Sequence, residues 1–256
     1  MDRPFQVIHA NNMPTQAPIC GETLSAPYDS PDTKFLYVYA ELDRDLVKKC
    51  LDSTPFDYLT NVGVFYMADY SRVTSSDAPF YDSALMIPVS YKDETGGAYF
   101  FEFEDGSASV GSGREGWGHP KLQADKIVMN DYDGLAMGSV YVNGQMLYHI
   151  ELDLENDDDC IIPNVNLEPN LLNIRHPRPD GPGLYCDLVL ERYVEEDTKT
   201  KLYKRCNVTA FDINSIPQKH HPWGMFTPKK ILGGEYMICD YIGSERTAPV
   251  IVERIK

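Results

Sequence analysis

A mainly β fold of the α+β class, arranged as an antiparallel barrel or sandwich, is predicted by three features of the 256-residue sequence. Short apolar stretches recur between turn-forming residues at intervals of about eight to twelve residues, a spacing typical of sandwiches and barrels. Few segments show the periodicity of an amphipathic helix. The strand–helix alternation of a doubly wound parallel sheet is absent, as are the GxGxxG and P-loop motifs that accompany such sheets.

The chain begins with a segment that lacks apolar periodicity. Residues 1–32 are rich in Pro, Asn, Gln and Ser, and we expect an irregular N-terminal arm that lies on the body of the protein or on a neighbouring subunit. Residues 33–256 contain no linker, repeat or low-complexity block and are predicted to form a single domain. Apolar residues occupy both alternating positions of Phe35–Ala40, which indicates a strand that is buried on both faces.

A short helix is predicted after this strand. Asp43 has a side chain of the type that favours a helix N-cap. The apolar side of the helix is formed by Leu46, Val47, Cys50 and Leu51.

Further strands are predicted from runs of apolar, aromatic and β-branched residues. They span Val62–Asp69, Ala84–Tyr91, Gly97–Glu104, Ser107–Ser112 and Lys126–Asn130.

Two hairpins are predicted in the second half of the chain. Gly138–Val142 and Gln145–Leu152 are joined by Asn143-Gly144, which supplies both positive-φ residues of a type I′ turn. Leu184–Arg192 and Leu202–Asp212 are predicted to pair around a polar turn.

The net charge of −16 excludes some classes of partner. A phosphate backbone or an anionic membrane surface would be repelled, so we expect neither nucleic acid nor a membrane as a partner. The charge is explained by solubility, although a locally positive pocket could still accept an anionic substrate.

The six cysteines predict neither a disulfide framework nor a metal site. They lie far apart without a CxxC pair, and most of them fall in apolar runs, where a free cysteine behaves as a small hydrophobic residue. The N-terminus lacks the apolar segment of a signal peptide, and no window approaches the length of a transmembrane helix. We therefore expect a cytoplasmic protein that holds no metal.

The glycine-rich segment Gly111–Lys121 is the strongest candidate for a functional site. Its four glycines allow the backbone to bend or to approach another group closely. Pro120 fixes the backbone before Lys121, and Trp117 and Leu122 provide apolar surroundings. A lysine among apolar groups loses hydration of its charged form, so its pKa falls and the neutral amine can attack a carbonyl. The alternative is a solvated lysine in a surface loop, which is the ordinary outcome for an isolated lysine.

The pattern Gly113-Arg114-Glu115, four further residues and Pro120-Lys121 resembles the signature of the acetoacetate decarboxylase family. Other motifs of that family follow in the same order, and the resemblance extends from about Lys34 to the C-terminus. The segments of this chain that resemble these motifs are Tyr81–Val89, Gly97–Tyr99, Pro169–Leu172, Tyr185–Leu188 and Pro228–Leu232. The resemblance implies a cone-shaped antiparallel β-barrel with a few short helices, a homo-oligomer, no cofactor, and a Schiff-base lysine at Lys121.

Several positions depart from the family pattern. The family decarboxylase has a second lysine directly after the nucleophile, but this position is Leu122 here, so desolvation alone would have to lower the pKa of Lys121. A family glutamate corresponds to Tyr66, and a second family acid corresponds to Asp82. A family arginine near the first strand has no counterpart, which indicates a larger and less anionic substrate than acetoacetate.

We therefore predict a lyase that forms a Schiff base between Lys121 and a small-molecule keto substrate. The iminium would act as an electron sink for decarboxylation, or for aldol, retro-aldol or dehydration chemistry, in specialised metabolism. Proton transfer and orientation are assigned to Glu115, Asp82 and Tyr66, and at least one of the two carboxylates is expected near the amine. Substrate contacts are assigned to Arg114, Trp117, His119 and Leu122.

Two other functions remain open at this point. The barrel pocket could shape or bind a hydrophobic ligand without covalent catalysis, as a cyclase or a binding protein. A structural subunit without a ligand is the third possibility, which the glycine-rich lysine segment disfavours. Whether Lys121 lies inside a closed apolar cavity is the observation that discriminates most among the three.

Overall fold

The computed structural model describes residues 28–74, 79–114, 118–177, 184–191, 198–214, 223–244 and 250–255. These residues form a mainly β protein with a single large sheet of fourteen strands. The strands are β1 Tyr28–Glu41, β2 Asp57–Tyr58, β3 Val62–Asp69, β4 Tyr81–Tyr91, β5 Glu94–Glu104, β6 Lys121–Gln123, β7 Lys126–Tyr132, β8 Leu135–Val142, β9 Gln145–Asp153, β10 Asn170–Pro177, β11 Leu184–Glu191, β12 Thr198–Ile213, β13 Lys230–Gly243 and β14 Val250–Ile255. The helical elements are α1 Arg44–Leu51, α2 Ser107–Ser112 and a 3-10 helix at Trp223–Phe226.

The strand order is β14-β11-β10-β5-β4-β3-β1-β13-β12-β9-β8-β7, with β2 beside β4 and β6 beside β5. All pairs are antiparallel except those that β5 makes with β6 and β10. Strands β14 and β7 are the two ends of this order, and no strand pairing among the described residues joins them. The mainly β prediction is confirmed, whereas a closed barrel is not.

Strand β1 crosses the middle of the sheet. One of its faces packs into the hydrophobic core, and the other borders a cavity. Leu36, Val38 and Ala40 are at most 1% exposed and pack into the main hydrophobic core. The alternate residues, including Tyr37 and Tyr39, line a large cavity on the other face. The predicted burial is confirmed for the first face only, because Phe35, Tyr37 and Tyr39 on the second face are partly exposed. The strand begins at Tyr28, within the range that was predicted to be an irregular arm.

The arm itself, residues 1–27, lies outside the described residues. Its packing, and the predicted homo-oligomer, remain predictions.

The predicted helix is confirmed as α1. The Asp43 carboxylate accepts hydrogen bonds from the backbone amides of Asp45 and Leu46, so it caps the helix as expected. Val47 and Leu51 are buried against the main core.

The Asn143-Gly144 hairpin is confirmed, because β8 and β9 pair on either side of it and both turn residues have positive φ, 52° and 71°. The second predicted hairpin is wrong. Strand β11 lies between β10 and β14, whereas β12 lies between β9 and β13. An alternating pattern identifies a strand but does not choose its neighbour when the connecting turn lacks a strong hairpin signal.

The predicted strand at Ser107–Ser112 is also wrong, because this segment forms α2. Strands β5 and β6 run parallel, and a parallel pair needs a crossover connection instead of a tight turn. Helix α2 lies in that crossover. Its residues are mostly small, and Val110 is the only one with an aromatic or β-branched side chain of the kind that favours a strand.

The described cysteines whose side chains can be placed, Cys50, Cys160, Cys206 and Cys239, are free thiols. Among the described residues, no group of histidine, cysteine or acidic side chains has the arrangement of a metal site. In the same part of the chain, none of the helices has the length and apolar character needed to span a membrane.

The hairpin turn gives a direct test of the fold. A Cβ atom at Gly144 meets nothing within 4 Å, so Gly144→Ala introduces no clash and acts only through the positive φ. We expect this substitution to destabilise the protein by about 1 kcal/mol in urea denaturation.

Gly111→Ala is the matched control, because its Cβ also meets open space but its backbone belongs to α2. That substitution should be neutral or stabilise by up to about 1 kcal/mol. Equal effects of the two substitutions would contradict the turn geometry.

Candidate active site

A cavity of about 540 Å³ opens on the face of the sheet that carries Tyr37 and Tyr39. Its aromatic lining consists of Tyr28, Phe35, Tyr37, Tyr39, Tyr66, Tyr70, Phe80, Tyr99, Tyr203 and Tyr241. Lys121 and three neighbouring polar residues, Asp82, Glu102 and His119, also line it. Lys121 is 7% exposed, so the amine lies inside the protein rather than on a surface loop.

The register of three strands brings acidic side chains to Lys121. Glu102 on β5 is paired with Lys121 on β6, and Glu104 on β5 is paired with Asp82 on β4. Glu102 and Glu104 are two residues apart, so both side chains point to the same face of β5. The intervening Phe103 points to the opposite face and packs into the main core.

The Lys121 amine is surrounded by three carboxylates. Its Nζ atom lies 2.5 Å from Oε2 of Glu104, 3.5 Å from Oε1 of Glu102 and 3.8 Å from Oδ2 of Asp82. These acids are buried, and Glu104 is completely inaccessible to solvent. Gly113 makes room for the lysine, because a Cβ atom there would lie 2.7 Å from Cδ of Lys121.

The electrostatics of this cluster favour the protonated lysine. Burial lowers the pKa of Lys121, but the nearby carboxylates of Glu102, Asp82 and Glu104 outweigh it and raise the pKa well above its ordinary value. The lowered pKa of Lys121 that desolvation alone was expected to produce is therefore not found. The expected carboxylate near the amine is present as Asp82, and Glu102 and Glu104 are two further ones.

The three acids do not have equal proton affinity. Burial acts to raise the pKa of Glu102, but the imidazole of His119 and the ammonium of Lys121 lower it to about 2. Burial raises the pKa of Asp82 well above its ordinary value, and the negative charge of Glu102 adds to this effect. Burial also raises the pKa of Glu104, despite its contact with Lys121. The charges of His119 and Lys121 therefore favour the ionised form of Glu102, whereas burial favours the protonated forms of Asp82 and Glu104.

Two further side chains hold the carboxylates in place. Nδ1 of His119 lies 3.0 Å from Oε2 of Glu102, and its ring packs edge-on against Tyr99 with centroids 4.9 Å apart. The Tyr66 hydroxyl donates to Oδ2 of Asp82 at 3.1 Å. Burial raises the pKa of Tyr66 well above its ordinary value, so the hydroxyl stays protonated.

The structure brings only some of the predicted residues together. Lys121, Asp82, Tyr66 and His119 meet in the cavity. Arg114 instead donates to the backbone carbonyl of Lys121 at 2.6 Å and so positions the β6 backbone.

Leu122 packs against the main hydrophobic core and does not line the cavity, because adjacent strand residues point to opposite faces. Its predicted substrate contact is therefore not supported by this geometry. Glu115 and Trp117 lie outside the described residues.

Sequence reasoning missed Glu102 and Glu104. The signal was present, because two glutamates alternate with Phe101 and Phe103 near the end of a predicted strand. An acid at every second position usually indicates a solvated face, and only the parallel pairing of β5 with β6 shows that this face is buried.

A mainly β fold with a buried amine and buried carboxylates beside a cavity is typical of an enzyme that acts on a small molecule. The family model described as acetoacetate decarboxylase (ADC) matches residues 12–248, which is most of the chain. The protein belongs to the acetoacetate decarboxylase family.

Individual relatives agree with this assignment. The acetoacetate decarboxylase of Burkholderia cenocepacia is 30% identical over 185 residues, covering 68% of this chain and 70% of that protein. The crystal structure of acetoacetate decarboxylase from Legionella pneumophila has a TM-score of 0.76 at 19% identity and covers 96% of this chain and 94% of its own. The enduracididine biosynthesis enzyme MppR has a TM-score of 0.64 at 13% identity, with coverages of 84% and 86%. The two structures show the shared fold, and the sequence comparisons support an acetoacetate decarboxylase-like enzyme.

Removing one carboxylate should change the titration of the lysine. We expect Glu104→Gln to lower the pKa of Lys121, because the substitution removes a negative charge while burial remains. The titration can be followed by NMR of protein labelled with ¹³C at the lysine Cε.

Glu94→Gln is the control, since Glu94 lies at the other end of the same strand and does not line the cavity. It should leave the Lys121 titration unchanged. A Lys121 midpoint that stays the same in Glu104→Gln would contradict the described cluster.

Proposed function

We propose that this protein is a lyase that forms a Schiff base between Lys121 and a keto substrate. The observation that carries the proposal is the buried Lys121 amine at the cavity wall, within 4 Å of three carboxylates. A carbonyl compound in the cavity would meet the amine and a set of proton donors and acceptors at once. Membership of the acetoacetate decarboxylase family supports the same chemistry.

The raised pKa of Lys121 is compatible with this role. The resting ammonium and the iminium each carry one positive charge, so the carboxylates that stabilise the first also stabilise the second. The neutral amine is needed only briefly, while the carbonyl is attacked. The cluster therefore slows the formation of the nucleophile but does not oppose the formation of the intermediate.

The proton transfers can be assigned to the acids beside Lys121. Glu104, 2.5 Å from Nζ, accepts a proton from the Lys121 ammonium. The amine then forms a C–N bond to the carbonyl carbon while the C=O π bond breaks, and one proton passes from the nitrogen to the carbonyl oxygen, which gives a neutral carbinolamine with a hydroxyl group. Asp82, whose pKa is raised, supplies the proton with which this hydroxyl leaves as water. The product is an iminium that withdraws electrons from an adjacent bond.

The negative charge around the amine favours reactions in which no carboxylate of the substrate has to approach the amine. The ionised Glu102 would repel the carboxylate of a β-keto acid, and Glu104 would add to this repulsion in its ionised form, which disfavours simple decarboxylation of acetoacetate. Retro-aldol or dehydration chemistry uses the same iminium without a departing carboxylate. MppR, which shares the fold, was solved with the condensation product of pyruvate and imidazole 4-carboxaldehyde, so the fold accommodates a product of carbon–carbon bond formation.

Covalent trapping tests the proposal. Incubation with a panel of ketones, β-keto acids and β-hydroxy ketones and reduction with borohydride should add the mass of the reduced ligand to the peptide that contains Lys121. The trapping rate should rise from neutral to alkaline pH, because a raised pKa leaves little neutral amine near pH 7. Lys121→Ala should abolish turnover and trapping, and Lys121→Arg should restore neither, because a guanidinium is not usefully deprotonated.

Lys126→Ala is the control, since Lys126 is exposed and lies on a different strand. It should trap ligand like the wild type. Near-normal turnover by Lys121→Ala would instead favour the non-covalent alternative, in which the cavity binds or shapes a hydrophobic ligand.

A further inference from the structure

A continuous wall of aromatic rings leads through the cavity to the lysine site. Six contacts join seven rings, with centroids between 4.9 and 6.3 Å apart. In order of contact these rings are Phe80, Tyr70, Phe35, Tyr37, Tyr66, Tyr99 and His119. Their faces and hydroxyls offer an apolar surface with polar edges, which suits a ligand much longer than acetoacetate.

The charged groups that line the cavity are mostly acidic. Among the described lining residues the carboxylates are those of Asp82, Glu102, Glu168 and Glu235, and the one lysine or arginine is Lys121. The positive charge of Lys121 is already balanced by its own carboxylates. A second anionic group on a substrate would therefore find no counter-charge among these residues, whereas a cation would.

Glu235 lies on the same face of the sheet as the lysine site but several strands away. A row of paired residues runs from Glu235 through Tyr37, Tyr66, Ala84 and Glu102 to Lys121. At about 4.8 Å per strand, this row follows the sheet for about 24 Å, which is the path along the strands and an upper limit for the distance between its ends. Glu235 and Lys121 therefore line the same cavity from strands that are five positions apart in the sheet.

Two tyrosines fix the Glu235 carboxylate. The Tyr39 hydroxyl donates to Oε2 at 2.7 Å, and the Tyr203 hydroxyl donates to Oε1. Burial and the Glu235 carboxylate raise the pKa of Tyr203 to about 12, so this hydroxyl stays a donor at neutral pH. Arg205 is paired with Glu235 across β12 and β13, but its guanidinium donates to the carbonyl of Cys160 at 3.0 Å. Arg205 does not line the cavity.

We propose that Glu235, together with the surrounding rings, binds an organic cation at the end of the keto substrate that is remote from the reacting carbonyl. This inference rests on the proposed function, because it takes the carbonyl to be at Lys121. An ammonium or guanidinium group would gain the carboxylate as its counter-ion and the ring faces as cation–π partners. An uncharged tail could contact the same rings but would make no use of the fixed carboxylate.

Three ketones of equal shape provide the test. They are 4-(biphenyl-4-yl)butan-2-ones that carry a 4′-trimethylammonium, a 4′-tert-butyl or a 4′-carboxylate group. The first two groups differ in charge and hardly in size, so their comparison isolates the cation. By calorimetry on the wild type, we expect the trimethylammonium ketone to bind about tenfold more tightly than the tert-butyl ketone. The carboxylate ketone should bind most weakly.

Glu235→Gln keeps the size of the side chain and removes its charge. We expect this substitution to bring the affinities for the trimethylammonium and tert-butyl ketones within about threefold of each other. The control is Glu253→Gln, which removes the same charge from an exposed residue that pairs with Lys92 outside the cavity. It should leave the tenfold preference intact.

The outcomes separate this inference from the proposed function. No preference for the cation, no binding of any of the three ketones, or a preference that survives Glu235→Gln would each overturn the cation site. Borohydride trapping of the same ketones reports on Lys121 alone. Selective binding of the cationic ketone without trapping would support cation recognition and contradict the Schiff base. Trapping without a preference for the cationic ketone would support the Schiff base and contradict cation recognition.

Discussion

The burial of one charged amine is the constraint on which the rest of the site depends. An ammonium without solvent needs counter-charges and hydrogen-bond acceptors, and Glu102, Glu104 and Asp82 supply them from two strands. A slip of one residue between β5 and β6 would turn Lys121 or the glutamates towards the opposite face of the sheet. The charge cluster and the sheet register therefore stabilise each other, and the aromatic cavity forms on the face that they share.

Local patterns predicted the elements of the fold better than their arrangement. The Asp43 cap and the Asn143-Gly144 turn depend on neighbouring residues alone, and both are found as expected. The pairing of β11 with β14 and the parallel pairing of β5 with β6 depend on contacts between distant segments. No residue in or near those strands indicates which strand will pair with them. The second hairpin and the strand at Ser107–Ser112 were therefore predicted wrongly.

In the candidate site too, features that depend on a short run of sequence were predicted, and features that depend on contacts between distant strands were missed. The family signature predicted Lys121, and the motif around Asp82 predicted an acid near it, because both are short runs of sequence. The state of the amine is set by side chains from different strands, which a motif does not contain. Desolvation was the only influence visible from Leu122 and Trp117, whereas the carboxylates of Glu102, Asp82 and Glu104 act against burial and raise the pKa of Lys121.

The arrangement indicates a site adapted to hold positive charge at every stage, rather than one that maintains a free amine. In the proposed Schiff-base mechanism the ammonium is favoured at rest, so attack on the carbonyl would have to wait for a proton to move to Glu104. The iminium of the proposed mechanism would be stabilised by the ionised Glu102. Such a site is suited to a substrate that stays bound by its far end while the proton moves. Glu235 and the ring-lined wall offer that second attachment on the same face of the sheet.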